Sequence, residues 1–110
     1  MDKLALLRSL SDGWDGPGSV ALDPDSAKNF EDLIDRIDAD RYQDAEPVLT
    51  DQGLIRLEWS VSDYAYSAEI GGSTLYMCAL APSPDEDDDV ELPTYDRDRL
   101  LNFFQTGKLR

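Results

Sequence analysis

A chain of 110 residues with Lys+Arg 10, Asp+Glu 24, no histidine and a formal net charge of -14 has the length of one domain, enough to bury a modest core without metals or disulfides. Its acidity argues against direct binding to nucleic acid, because neutralising phosphates needs a basic face; it points to a basic partner, or to solubility alone. One cysteine, Cys78, excludes an internal disulfide.

The start of the chain is interrupted by Asp2, Lys3 and Arg8, which is no signal-peptide pattern. No apolar run approaches a membrane span, so the expectation is a soluble cytoplasmic protein, monomer or dimer, with no membrane partner. A first helix is predicted over residues 2–10, with Leu4, Leu7 and Leu10 as one stripe widened by Ala5 and Leu6. It stops at Asp12-Gly13. The next stretch, Gly13-Trp14-Asp15-Gly16-Pro17-Gly18-Ser19, is too rich in Gly and Pro to be regular, and Trp14 is expected to anchor it on the core. Its glycines suggest a phosphate-cradling loop, but the lysine of such loops is missing, Pro17 removes a backbone donor and no strand precedes it.

Asp23-Pro24 opens a second helix, with Asp23 as cap and Pro24 at the first helical position. Its apolar face is Ala27, Phe30, Leu33, Ile34 and Ile37. The opposite face carries Asp25, Glu31, Asp32, Asp35 and Asp38, relieved by Lys28 and Arg36, so that Asp32 and Arg36 form an i,i+4 pair. A calcium loop starting at Asp23 fails, because Ala27 and Lys28 stand where a ligand and a glycine are needed.

Residues 47–50 read as a short edge strand, with Val48 or Leu49 pointing inward, and residues 54–80 as an antiparallel meander. Ile55, Leu57 and Trp59 alternate with Arg56 and Glu58, and the period of two continues through Tyr64, Tyr66, Ala68 and Ile70 to Leu75, Met77 and Ala79. With Gly71-Gly72 as a two-residue turn and residues 60–63 as a four-residue loop, the rows are Ile55, Ala68 and Leu75, then Leu57, Tyr66 and Met77, then Trp59, Tyr64 and Ala79. Both loops are even, so one face stays apolar. Cys78 falls on the outer face beside Glu58 and Ala65, without the basic neighbours that a reactive thiol needs. Glu58 and Glu69, on adjacent strands but not opposite, are the one candidate hydrolase pair. Arg56 stands close enough to neutralise either, and no residue is assigned a catalytic role.

Residues 81–93 are expected to form an acidic loop. Pro82 and Pro84 prevent regular pairing, and the consecutive carboxylates Asp85, Glu86, Asp87, Asp88 and Asp89, with Glu91 beyond them, repel one another and extend the chain. Asp85, Asp87 and Asp89 fit the first three ligands of a calcium loop, but Val90 replaces its glycine and Asp96 its glutamate. No cofactor or metal is assigned. A last helix is predicted over residues 95–105, capped by Thr94 and stopped by Gly107. Leu100, Leu101, Phe103 and Phe104 form a stripe broad enough to leave some of it for a partner. Arg97, Arg99, Lys108 and Arg110 could hold the acidic run against this helix.

Trp14-Asp15-Gly16-Pro17-Gly18, followed by an amphipathic helix and then Gly53-Leu54-Ile55-Arg56-Leu57-Glu58-Trp59, resembles a group of small uncharacterised bacterial and phage-borne proteins with a Trp-Asp-Gly-x-Gly loop and an Ile-x-Leu-Glu-Trp strand. The resemblance covers roughly residues 7–70 and implies an accessory or mobile gene context, with no site residues. The expected fold is α+β: two N-terminal helices, a four-stranded antiparallel meander, an acidic loop and a C-terminal helix on one face of the sheet. The expected function is non-enzymatic. Asp35, Asp38, Asp85, Glu86, Asp87, Asp88, Asp89 and Glu91 would occupy phosphate positions on a basic nuclease or other nucleic-acid-binding protein, as an antitoxin or a phage anti-defence protein such as an anti-CRISPR would. The alternative is a structural, assembly or immunity-type subunit binding through Leu100, Phe103 and Phe104.

Overall fold

A computed structural model describes residues 3–37 and 45–109. The fold is α+β. In chain order it has helices α1 (Lys3–Arg8) and α2 (Pro24–Ile34), strands β1 (Glu46–Leu49), β2 (Ile55–Val61), β3 (Tyr64–Ile70) and β4 (Leu75–Leu80), a 3₁₀ turn at Pro84–Glu86, strand β5 (Asp88–Leu92) and helix α3 (Arg97–Thr106). The strands form one antiparallel sheet in the order β1-β2-β3-β4-β5. Helices pack on one face.

Both N-terminal helices are shorter than the periodicity predicted. Leu4 is buried and Leu7 packs against the core, but α1 ends at Arg8 before Leu10 is reached. In α2, Asp23 caps as expected, its side chain accepting from the amide of Asp25 with Pro24 at the first helical position. That helix stops at Ile34, and Ile37 still packs on the core from the turn beyond it.

The alternation in β2, β3 and β4 is kept: Ile55, Leu57, Ala68, Ile70, Leu75 and Met77 are all fully buried. The register of β3 differs from the expected one by two residues. Ile55 and Leu75 share a row, as do Leu57 and Met77, but Ile70 and Ala68 stand between them where Ala68 and Tyr66 were expected. Trp59 pairs with Tyr66 rather than Tyr64. Two turns cause this. β2 and β3 meet through the two-residue turn Ser62-Asp63, with Ser62 at φ 55, which matches the strand twist and lets Val61 pair with Tyr64.

Between β3 and β4 the loop is four residues, closed by the Gly71 amide on the Thr74 carbonyl at 2.9 Å. Neither Gly71 nor Gly72 has positive φ, so neither adopts the conformation a two-residue hairpin needs. They serve α2 instead. Asn29 Nδ2 donates to the carbonyls of Gly71 and Gly72 at 2.9 and 3.2 Å, and a Cβ on Gly72 would lie 2.7 Å from that of Asp25. Because both turns keep even length, the slip leaves every side chain on its expected face.

Ser26 is the second tie between α2 and the sheet. Its side chain is wholly buried; Oγ donates to the Ile70 carbonyl at 2.5 Å and accepts from the Ile55 amide at 3.0 Å. In β1, Leu49 turns inward, opposite Ile55, and Val48 outward.

Part of the expected acidic loop is a fifth strand. Val90 pairs with Met77 and Leu92 with Leu75, and both half-buried side chains pack against the core. Two apolar residues at a period of two suffice for an edge strand, and mutual repulsion of the carboxylates favours an extended chain. In α3 the cap is Asp96 rather than Thr94: its Oδ1 accepts the Arg99 amide at 3.2 Å. Gly107, at φ 76, ends the helix as expected, its amide reaching the Phe103 carbonyl at 2.7 Å.

Candidate protein interface

The apolar alternative is corrected by burial. Leu100 and Phe103 are wholly buried and Phe104 is 2% exposed. Phe103 and Phe104 meet Trp59 edge-on, with ring centroids at 5.3 and 5.0 Å, a favoured aromatic geometry. Leu101 is half-buried against the same cluster. The stripe is broad because α3 packs on α2 as well as on the sheet, so its apolar width is used inside the fold.

Trp14 does not anchor its loop on the core. It is half-buried, lies outside the core cluster, and its Nε1 donates to the Val20 carbonyl at 2.8 Å. The loop ties itself together: the amides of Gly13, Gly16 and Ser19 bond within it, the Asp15 amide donates to Ser19 Oγ, the Trp14 amide reaches back to the Ser11 carbonyl, and the Val20 amide docks it on Asp51. Those amides are spent and cannot cradle a phosphate.

Two carboxylates of the acidic face of α2 are compensated. Glu31 pairs with Arg8, and Asp32 with Arg36 at 3.6 Å and with Arg97 at 3.2 Å. Asp35 is exposed at the C-terminal cap of α2, and Asp38 lies outside the described residues. Arg97 also meets Asp98, and Arg99 donates to the Leu109 carbonyl at 2.7 Å. The described arginines of the C-terminal helix are thus turned to α2 and to the tail, and do not hold the acidic run.

Along that run, Asp85 and Glu86 are exposed on the 3₁₀ turn, and Asp87, Asp88, Asp89 and Glu91 are exposed in and beside β5. Asp85, Glu86, Asp87, Asp89 and Glu91 form no ion pair among the described residues. Their bonds hold the chain in place. Asp87 Oδ1 accepts the Ala81 amide at 2.7 Å, Asp88 Oδ1 the Asp89 amide at 2.9 Å, and Asp89 Oδ2 the Tyr76 hydroxyl at 2.6 Å. Asp87 and Asp89 are thereby committed to different partners instead of a shared calcium site. No group of three His, Cys, Asp or Glu among the described residues is placed to hold a metal ion.

Tyr76 shows the local field. Its hydrogen bond to Asp89, together with desolvation and the charges of Asp89 and Glu91, pushes its hydroxyl up to about 12. Burial, then Asp89, Asp87 and Asp88, raise the Cys78 thiol above its ordinary value, the direction opposite to that of an activated cysteine. Cys78 lies on the outer face beside Ser67 and Asp89, not beside Ala65. Arg56 Nε meets Glu58 Oε2 at 3.0 Å and Arg56 stands opposite Glu69, so Glu58 and Glu69 are not directly opposed.

Pairing of β5 had no signal beyond Val90 and Leu92, and it carries Asp89 and Glu91 onto the outer face with Glu58 and Glu69. That gathering was missed from the sequence, where the strands' carboxylates and the acidic run were read as separate features. No described helix is long and apolar enough to cross a membrane. Comparison of the chain with family models, curated proteins and solved structures finds no match.

Proposed function

We propose that this is a non-enzymatic, acidic protein-binding module that masks the basic nucleic-acid-binding surface of a nuclease or related protein, in the manner of an antitoxin or a phage anti-defence protein. The observation that carries the reading is the set of carboxylates Asp85, Glu86, Asp87, Asp89 and Glu91, fixed along a 3₁₀ turn and an edge strand and left without ion pairs among the described residues. Alternate residues on a strand lie about 6.6 Å apart, about twice the axial spacing of charges along one nucleic-acid strand. Carboxylates carried on a turn and a strand in this way steer a basic partner and meet its cations.

The test is capture of partners from a bacterial lysate across a salt series, with residues 85–89 native or changed to Asn and Gln. Each captured enzyme is then assayed for nucleic-acid binding with and without the protein. Recovery of a basic nucleic-acid enzyme, its inhibition, and loss of both at high salt and in the variant support the reading. An enzyme captured equally by native and variant protein, with its nucleic-acid binding intact, ends it.

A further inference from the structure

The outer face of the sheet is covered by no described element, and its residues are arranged as a trough. Across the strands, one row runs Glu46, Glu58, Ser67, Cys78 and Asp89, and the next Ser60, Ala65 and Leu80. The floor is small, and the two sides are acidic. Glu58, Ser60, Ala65, Ser67 and Leu80 line a concavity of about 470 Å³, continued toward β5 by a second of about 250 Å³ beside Cys78, Leu80 and Asp89. Leu80 is 49% exposed, an apolar contact left open on this floor.

From Glu58 on β2 to Asp89 on β5 there are three strand spacings, or about 14 Å. An α-helix with its side chains is about 10–12 Å across, so a helix laid along the line between β3 and β4 fits between the acidic sides. An extended segment has poorer access. The β1 edge contains Pro47, and at the β5 edge the Asp89 amide is taken by Asp88 Oδ1, two devices that block strand addition. Arg56, in the neighbouring row opposite Glu69, is the one described cation on the outer face of the strands and is engaged by Glu58. Charge complementarity therefore selects a basic occupant, and the width selects a helix.

Resting on the masking function above, we infer that the docking surface is this trough and that its occupant is a basic α-helix of the partner, two to three turns long. Its small apolar side chains lie on Ala65, Ser67 and Leu80, and its Lys and Arg side chains reach toward Glu58 on one side and Asp89 on the other. Residues 85 and 86 lie off this face and add only attraction at a distance.

The experiment uses the full chain and two synthetic peptides of about 20 residues with the same Lys, Arg, Ala and Leu content, one helical and one with its helix broken by two D-residues. Affinity is read by fluorescence anisotropy, and the site by amide shifts in NMR. The helical peptide should bind at least about tenfold more tightly and shift the amides of Ser60, Ala65, Ser67 and Cys78. Ala65→Trp, which fills an exposed floor position without changing charge, should weaken it at least about tenfold, whereas Asp85→Asn with Glu86→Gln should weaken it about twofold. Equal affinity for the two peptides, or indifference to Ala65→Trp, overturns the trough and leaves the masking function standing on residues 85–91. If neither peptide binds at low salt, both fall.

Discussion

Ser26 is a hydroxyl inside an apolar contact, and its replacement by alanine measures how α2 is joined to the sheet. Ser26 Oγ donates to the Ile70 carbonyl and accepts from the Ile55 amide, in surroundings where Ser26, Ile55 and Ile70 are all wholly buried. Alanine removes both bonds and leaves an amide and a carbonyl without this partner, where water has no access. Each orphaned buried group costs about 1–3 kcal/mol, against a net value near 1 kcal/mol for an ordinary hydrogen bond. The expected loss is therefore about 2–6 kcal/mol for the two groups, a large share of the stability of a small domain. With an unfolding entropy of roughly 2 cal/mol/K per residue, that lowers Tm by about 9–27 °C for a chain of this length. Urea unfolding followed by circular dichroism, with an unchanged m-value, gives the free energy directly. Ser9→Ala is the control, since that exposed hydroxyl bonds only the Leu6 carbonyl within its own turn, and it should change stability by less than about 0.5 kcal/mol. A loss below about 1 kcal/mol for Ser26→Ala would refute the reasoning, because it would mean that Ile55 and Ile70 satisfy each other once the hydroxyl is gone.

Gly72→Ala should cost about 1–3 kcal/mol through crowding against Asp25, measured by the same unfolding assay. Its φ is not positive, so a harmless substitution would show that α2 can withdraw from the turn. Phe103→Ala should cost about 3–5 kcal/mol by leaving a cavity against Trp59 and Tyr66; selective loss of partner binding at unchanged Tm would restore α3 as an interface. Spectrophotometric titration should place the ionisation of Tyr76 at about 12, and Asp89→Asn should bring it down toward 10. The folded value lies above the unfolded one, so the stability linked to this proton is complete below about pH 10 and is lost as pH rises toward 12. Each charge neutralised in residues 85–91 should flatten the salt dependence of partner affinity; a slope that stays constant as charges are removed would detach binding from this segment.

The order and faces of the elements were legible because each rests on short-range chemistry. Asp23-Pro24 can begin a helix and Gly107 can end one whatever lies around them, and the period-two alternation of β2, β3 and β4 puts Leu57 and Met77 on one face for any even register. Register itself is a tertiary choice. Gly71-Gly72 has the composition of a hairpin turn, but α2 claims both carbonyls through Asn29 and the space above Gly72 through Asp25, and no local pattern records a helix whose Asn29 lies 42 residues before Gly71.

The acidic segment divides in the same way. Sequence alone determined that these carboxylates repel, extend and stay in water, which agrees with their exposure. Only the tertiary structure decided that Val90 and Leu92 find Met77 and Leu75, because two apolar residues become a strand only when an edge is free to accept them. It also decided the fate of the broad α3 stripe. Aromatic area reads the same whether it faces a partner or another helix, and here α2, the sheet and Trp59 already fill it.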